Sequence, residues 1–404
     1  MIVLGMVILT SLAFDFTNGF HDTANAMATS IATGALKPKQ AVALSAVLNL
    51  LGAFLSVQVA LTVTNSVIKI QDSTGAPNPQ LTADGGSALL LIVLAGLVGA
   101  ILWNLLTWLL GLPSSSSHAL LGGLIGATIA GLGVSSVKWV GTGAKLDGVV
   151  GKVILPAVLS PLIASVVAMT GTWLIYRLTR TIAEKFRNDG FRWGQIGSAS
   201  LISLAHGMND AQKTMGIITL ALIASGQWHD LHAVPLWVKA ACATAIALGT
   251  FIGGLRIIRT LGKGLVEIDS PQGLAADSSS AATIIISSHL GFALSTTHVA
   301  TGSIIGTGLG RKGAQVRWAV AARMLVAWLI TLPSAGVLAA LAWAVGHLVG
   351  GLAGAIVIFL ILVGCALYMF WHSRKNPVGH HNVTDDWEAA PERVVTDTVK
   401  EVVR

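Results

Sequence analysis

The chain has 404 residues, of which 53% are hydrophobic and only 11% charged, and its formal net charge is +7. Soluble globular domains contain roughly 25% charged residues, so the composition excludes a soluble protein and indicates an integral membrane protein. The Lys and Arg residues stand in short loops at the ends of apolar stretches. That is the positive-inside pattern of a membrane protein, not a nucleic-acid-binding surface.

Apolar stretches long enough to cross a hydrocarbon core about 30 Å thick recur along the chain. The N-terminal run lacks a basic n-region and a small-residue cleavage site, so residues 1–35 predict a retained first span. Cys242 and Cys365 both lie within apolar spans and predict no disulfide framework. Six further plain spans are predicted at residues 40–64, 87–110, 153–176, 235–258, 318–345 and 349–371.

The first span contains the polar stretch NGFHDTANAM, which places His21, Asp22 and Asn25 among apolar residues. A carboxylate inside a membrane costs at least about 2.5 kcal/mol, so it needs a partner and usually a function. The basic residue nearest to Asp22 along the chain, Lys37, is about four turns away. We therefore expect Asp22 to be functional, with the adjacent His21 as a candidate proton carrier.

The motif GLPSSSSH predicts a break between two helices. Gly111 and Pro113 end one helix, four hydroxyls follow, and a new helix is expected to begin at about His118. Free amides and hydroxyls at a helix N-terminus form a site for an anion. The alternative is that the hydroxyls only bond carbonyls of the preceding turn.

The second half of the chain repeats these features. PSSSSHALLGGLIGA matches ALSTTHVATGSIIGT at an offset of 180, and GFHDTANA matches GMNDAQKT at an offset of 188, which pairs Asp22 with Asp210. Lys213 lies one turn after Asp210 and predicts an ion pair. Gly122-x-x-x-Gly126 and its copy in the second half are interpreted as helix-packing surfaces.

The first half is predicted to cross the membrane five times, so the second half enters from the opposite side. The predicted fold is an all-α polytopic membrane protein with two inverted-topology repeats, interrupted helices, serine/threonine-rich helical hairpins and one extra C-terminal span. Its segments are the first repeat 1–176, a cytoplasmic basic linker 177–195, the second repeat 196–345, the extra helix 346–371 and a polar cytoplasmic tail 372–404.

Two details of this topology depend on single segments. Residues 281–294 are too short and serine-rich for a plain span, so a helix is expected to start near Ser270-Pro271. Basic residues predict a cytoplasmic face near 37–39, 177–192, 259–263 and 311–317, whereas Lys69, Lys138, Lys145 and Lys152 fall on the other face.

Carboxylates beside an anion site favour an anion that carries a proton or arrives with a cation. Phosphate near neutral pH has P–OH donors that need acceptors, whereas sulfate has none. Phosphate is thus the leading candidate substrate. His118, His206 and His298 are interpreted as neutral packing residues, and the spacing of His and Asp predicts no metal site.

NGFHDTANA, GLPSSSSH, AHGMNDAQK and STTHV resemble the inorganic phosphate transporter (PiT) family, in its bacterial low-affinity branch, over about residues 5 to 345. The resemblance implies a secondary active transporter that imports phosphate, alone or as a metal–phosphate complex, across the cytoplasmic membrane by symport with protons or sodium. It implies a site lined by these residues: Asp22, Asn25, Ser115, Ser116, Ser117, Asn209, Asp210, Ser295, Thr296 and Thr297.

The second half departs from the common family pattern because Lys213 stands where the first half has Asn25. An ammonium group there would repel sodium, so we expect proton coupling through Asp22, Asp210, His21 and Lys213. A sulfate permease of the same family and a sodium-coupled symporter stay open as alternatives, as does the oligomeric state. A channel and an intramembrane hydrolase fit less well: no filter repeat and no G-x-S-x-G elbow is present, so neither an enzyme nor a cofactor is expected.

Overall fold

The structure is a computed structural model, and the residues it describes form twelve α-helices that confirm the predicted all-α fold. Five of these helices are long and apolar enough to cross a membrane, and the number is six if one bent pair is counted as a single span. The described residues are 1–55, 60, 68–69, 81, 85–141, 147–231, 233–289 and 294–385.

The helices follow one another in two series and a final span. The first series is α1 (Ile2–Ala32), α2 (Pro38–Gly52), α3 (Ser87–Leu109), α4 (Ser116–Leu132) and α5 (Leu155–Leu178). The second is α6 (Glu184–Ala224), α7 (Leu236–Ile252), α8 (Leu255–Arg259), α9 (Ser270–His289), α10 (Thr296–Gly310) and α11 (Trp318–Val349), and α12 (Gly351–Ser373) follows.

The first helix of each series is unbroken, which differs from the interrupted helices expected there. Helix α1 has 31 residues and α6 has 41. The polar stretches stay helical because they contain no proline and no residue with positive φ. Helix α6 begins at Glu184, so it also covers most of the predicted linker 177–195.

Two predicted plain spans are shorter than expected. Helix α2 ends at Gly52, and most of the remainder of the predicted span 40–64 lies outside the described residues. The predicted span 235–258 is broken after Ile252, and the next segment, Leu255–Gly264, is bent by 58° from α7. Gly253 permits the break because its φ of +70° is readily adopted only without a side chain.

The expected start of α9 near Ser270-Pro271 is confirmed, and the preceding residue, Asp269, caps the helix. The Asp269 carboxylate accepts from the Gln272 backbone N–H at 3.2 Å, and the Gln272 side-chain oxygen accepts from the Asp269 N–H at 3.2 Å. This reciprocal pair is a capping box, which satisfies two of the free amides at the helix start. The serine-rich segment is therefore one helix, Ser270–His289.

The hairpin helices α4 and α10 follow the serine/threonine-rich motifs of the two series. Each packs against a helix of the other series that contains an internal proline: α4 on α11, and α10 on α5. A Cβ atom added to Gly126 would lie 2.0 Å from the Gly336 carbonyl oxygen, and one on Gly306 would lie 2.2 Å from the Ser165 carbonyl oxygen. Such close backbone approach leaves no room for a side chain, which confirms the packing role predicted for these glycines.

The leading helices exchange partners in the same way, with α1 packed on α7 and α6 packed on α2. A Cβ on Gly19 would lie 2.3 Å from the Ile246 carbonyl oxygen, and one on Gly207 would lie 2.2 Å from that of Asn49. Matched contacts in both series are what two structural repeats produce.

The apolar surface is distributed as lipid exposure requires. Helix α3 lies in the interior, where Leu89, Leu94 and Leu97 are fully buried. Helices α5, α11 and α12 form the periphery, and their large apolar side chains point outward, as shown by Leu162, Leu329 and Leu360. Because lipid tails are as apolar as these side chains, their exposure marks the lipid-facing surface.

Basic residues distant in sequence meet at one end of the bundle, as the charge pattern predicts. The guanidinium groups of Arg187 and Arg311 lie over the Tyr176 ring, 4.6 and 5.3 Å from its centroid. Lys69 lies at the opposite end, where its ammonium donates to a carbonyl of the α4–α5 connection at 2.8 Å. Lys145 is outside the described residues.

The first part of the polar tail packs against α8 and its neighbours. The Arg256 guanidinium donates to the carbonyl oxygens of Ser373 at 2.6 Å and Asn376 at 2.5 Å, and Val383 is buried. Partial burial, with Lys39 and His381 nearby, lowers the pKa of His380. Residues 386–404 lie outside the described part of the chain.

The exchanged packing of α4 predicts a strong effect of a single methyl group. Gly126→Ala places a Cβ atom 2.0 Å from a backbone oxygen of α11, so the helices must separate. We expect a loss of about 1–3 kcal/mol of stability, measured as a lower temperature of unfolding in detergent. Gly364→Ala in α12 is the matched control, since nothing lies within 4 Å of its added Cβ. Equal unfolding temperatures for the two variants would contradict the packing role.

Candidate functional site

The polar stretch of α1 faces the interior of the bundle. Asp22 lies roughly two-thirds of the way along α1, and the exposed fractions of Asp22 and Asn25 are 1% and 5%. Asp22 accepts a hydrogen bond from Ser116 at 3.1 Å, and its other oxygen lies 3.4 Å from the Thr296 hydroxyl. One carboxylate is thus held by the serine-rich segment of the first series and the threonine segment of the second.

Asn25 binds the second hairpin directly. Its side-chain amide donates to the hydroxyl oxygens of Thr296 at 3.1 Å and Thr297 at 3.0 Å. The Thr297 hydroxyl donates in turn to the Ser114 carbonyl oxygen at 3.0 Å. Because that carbonyl precedes α4, these bonds join the starts of α4 and α10.

The second carboxylate, Asp210, is bound by its own helix. Asn209 donates to it at 3.1 Å, and the Lys213 ammonium forms a hydrogen-bonded ion pair with it, which confirms the pairing predicted from their spacing. The same ammonium donates to the Ser117 hydroxyl at 2.6 Å. Lys213 therefore links the carboxylate of α6 to the first hairpin.

His206 lies between the two carboxylates. Its Nε2 is 3.0 Å from a carboxylate oxygen of Asp210 and 4.0 Å from one of Asp22. Its Nδ1 lies 3.2 Å from the Asn49 side-chain oxygen, which fixes the ring. This position differs from the packing role expected for His206. The sequence contained one indication of this contact: His206 stands four residues before Asp210, a spacing that brings two side chains together on one helix.

The ligand atoms of Asp22, His206 and Asp210 all lie within 4.8 Å of one another. Sequence spacing did not indicate this group because Asp22 comes from the other series. Two carboxylates and an imidazole in this arrangement could hold a cation.

His21 and His206 approach different oxygens of the Asp22 carboxylate. Its Nδ1 is hydrogen-bonded to the Asp22 carboxylate at 2.8 Å, and its Nε2 lies 3.2 Å from the Thr107 hydroxyl and 3.3 Å from that of Ser114. The ring is thus fixed on both nitrogens, and it orients the carboxylate toward the hairpins.

Ser115 and Ser295, which match each other in the two motifs, have a different role from the two hydroxyl residues that follow each of them. Ser115 accepts from the His118 backbone N–H at 3.2 Å, and Ser295 accepts from the His298 N–H at 3.3 Å. These are helix N-caps, so the side chains of Ser115 and Ser295 hold the starts of α4 and α10. His298 stacks on Trp328 with ring centroids 4.1 Å apart, in agreement with a packing role.

The structure therefore brings most of the predicted residues into one buried cluster. The members of the cluster are Asp22, Asn25, Ser116, Ser117, Asn209, Asp210, Lys213, Thr296 and Thr297, with His206 added. All are at most 5% exposed, so the cluster is closed to solvent from both sides. Hydroxyl, amide and ammonium donors stand beside carboxylate acceptors, which suits an oxyanion that carries both acceptors and a proton.

Comparison with known proteins adds to this geometry. A model of the phosphate transporter family matches residues 18–339. The chain belongs to the phosphate transporter family. A probable low-affinity inorganic phosphate transporter of Mycobacterium tuberculosis (strain ATCC 25618 / H37Rv) is 58% identical over 387 residues, covering 96% of this chain and 88% of the relative. One of Bacillus subtilis (strain 168) is 42% identical over 342 residues, covering 84% and 95%.

Among solved structures, "The sodium-dependent phosphate transporter" has the same fold. Its TM-score is 0.70 at 20% identity, and the match covers 87% of this chain and 100% of that one. These findings confirm the predicted family and the predicted fold class. The matched relatives are transporters and not enzymes, as expected from the sequence.

The buried ion pair of Lys213 and Asp210 predicts that substitutions of these two residues have strongly coupled effects on stability. Lys213→Met leaves Asp210 buried without its ammonium, and we expect a loss of about 3–5 kcal/mol. The double variant Lys213→Met/Asp210→Asn should recover most of this loss, because no charge is left unpaired. Thermal unfolding in detergent of the unmodified protein, the two single variants and the double variant measures this double-mutant cycle. Lys185→Met is the control at an exposed position of the same helix. Additive effects would contradict the coupling.

Proposed function

We propose that the protein is a secondary active transporter that imports inorganic phosphate across the cytoplasmic membrane together with protons. The observation that carries this proposal is the single buried cluster formed by Asp22, Asp210 and the hydroxyls of both hairpins. The family supplies phosphate as the expected substrate, and the relatives' names agree with it. The combination of acceptors and donors supports it physically.

Phosphate fits this cluster better than sulfate does. Hydroxyls and the Lys213 ammonium donate to the oxygen atoms of either anion. The carboxylates of Asp22 and Asp210 need a donor from the substrate, and a P–OH group supplies one. Sulfate at neutral pH has no such donor, so a carboxylate beside it only repels it.

Proton coupling is supported by the charged groups around Asp210. The Lys213 ammonium occupies the position that corresponds to Asn25 in the first series, and it is in contact with Asp210. A sodium ion at that carboxylate would be repelled by the ammonium group. His206, between the two carboxylates, offers an imidazole nitrogen that can take up or release a proton.

A second candidate is symport of a neutral metal–phosphate complex. The observation that favours it is the group of three ligand atoms from Asp22, His206 and Asp210. A divalent cation would then enter as part of the substrate, with phosphate oxygens and water as its other ligands. Uptake of phosphate that requires magnesium would support this candidate over free phosphate.

Transport would proceed by movement of one repeat against the other. We propose that the repeats comprise residues 1–176 and 196–345, since the site takes donors and acceptors from both. Asn25 on α1 binds α10, and Lys213 on α6 binds the start of α4. Changes in these bonds would open the cluster to one side and then to the other.

Uptake of radiolabelled phosphate into proteoliposomes tests the proposed function. An inward proton gradient should drive uptake without sodium, and excess sulfate should not compete. Asp22→Asn should lower the rate by at least about a hundredfold, as loss of an essential acid or base does, whereas Asp189→Asn at an exposed position should leave it unchanged. Uptake that requires sodium, or that sulfate abolishes, would overturn the proposed coupling or the proposed substrate.

Lys213 provides a separate test of the coupling ion. Lys213→Asn replaces the ammonium with the amide found at Asn25, so an oxygen ligand becomes available beside Asp210. We expect phosphate uptake by this variant to become stimulated by an inward sodium gradient, which the unmodified protein ignores. Lys185→Asn serves as the control. A variant that remains fully driven by protons and indifferent to sodium would show that Lys213 does not exclude sodium.

A further inference from the structure

Two buried carboxylates lie outside the site described above. Asp15 is on α1, seven residues before Asp22, and Thr29, seven residues after Asp22, donates to Asp277 of α9 at 2.7 Å. Seven residues are close to two turns, so Asp15, Asp22 and Thr29 share one face of α1 at intervals of about 10 Å. The carboxylates of Asp15, Asp22 and Asp277 therefore stand at successive depths beside α1, with Asp277 reaching it from α9.

Asp15 lies on the side of the N-terminus and is fully buried. One of its oxygens accepts from the Thr214 hydroxyl at 2.5 Å. The Cys242 thiol lies beside it, and Asp210 and Lys213 are the charged groups nearby. Its other oxygen has no hydrogen-bond partner in the described structure.

Asp277 lies on the side of the bundle where Arg187 and Arg311 meet, and it is 1% exposed. The Thr29 hydroxyl is its hydrogen-bond partner, its second oxygen has none among the described residues, and no charged group there acts on it. Neither Asp15 nor Asp277 forms an ion pair in the described part of the chain. A buried carboxyl group that forms no ion pair is stable as the neutral acid, so each position holds a proton when it is closed to water.

Each of these acids accepts a hydrogen bond from a threonine that stands one helical turn beyond a site residue. Thr214 follows Asp210 by four residues on α6, and Thr29 follows Asn25 by four residues on α1. A hydroxyl both donates and accepts a hydrogen bond, so it can lie in a path of proton transfer.

We propose that Asp15 and Asp277 are proton-binding stations on the two sides of the phosphate site, a proposal that rests on proton symport as the proposed function. Asp15 passes its proton through Thr214 toward Asp210 and then takes another from water on the N-terminal side. Asp277 releases its proton to water on the side of Arg187 and Arg311 and then receives another from the site through Thr29. In each transfer one O–H bond breaks as another forms, and each carboxyl group returns to its initial state. One proton crosses per cycle.

The proposal predicts that net transport and exchange respond differently to Asp15→Asn and Asp277→Asn. In proteoliposomes, phosphate-induced proton entry, followed with an internal pH-sensitive dye, and proton-driven phosphate uptake should each fall at least about tenfold. Exchange of labelled for unlabelled phosphate, which needs no net proton movement, should remain within about threefold of the unmodified protein. Asp189→Asn is the exposed control, and Asp15→Glu and Asp277→Glu should restore part of the proton entry.

Three other outcomes would overturn either this proposal or the proposed proton symport on which it rests. Exchange that is lost together with net uptake, without recovery by the Glu variants, would show a structural role for these acids. Unchanged proton entry in both Asn variants would show that neither is a station. Absence of phosphate-induced proton entry in the unmodified protein would instead overturn proton symport itself.

Discussion

Burial of two carboxylates at the centre of an apolar bundle is the constraint on which the rest of the structure depends. Asp22 and Asp210 are 1% and 0% exposed, and each would be unstable there without donors. The donors to Asp22 come from α1 and from both hairpins, and Asp210 is bound by Lys213, which also binds Ser117. Compensation of these charges thus requires both repeats, and the same donors line the proposed phosphate site.

The hairpins can serve this purpose because two kinds of contact fix them. N-caps at Ser115 and Ser295 hold the starts of α4 and α10, so the following hydroxyls point into the cluster. Glycines along the same helices bring them against α11 and α5 with no intervening side chain. The polar end of each hairpin helix is therefore positioned by its apolar remainder.

The fold and much of the site could be predicted from the sequence because the signals were local or repeated. Hydropathy located most spans, the matched motifs paired Asp22 with Asp210, and spacing along one helix gave the Lys213–Asp210 pair. Contacts between the repeats were not predictable in this way. His206 meets Asp22 only after α6 and α1 have packed, so no spacing along the chain could indicate this contact.

The exchanged packing of the hairpins also governs the order in which the protein can assemble. Gly126 on α4 packs against Gly336 on α11, which is synthesised 210 residues later (336 − 126). At about 5–20 residues per second, the first hairpin waits roughly 10–40 s for its partner. During that interval the first half has its hydroxyls and its glycine face but lacks the surface that they contact. Biosynthesis therefore passes through an inserted, incompletely packed half, and folding is completed only when the last helices of the second repeat enter the membrane.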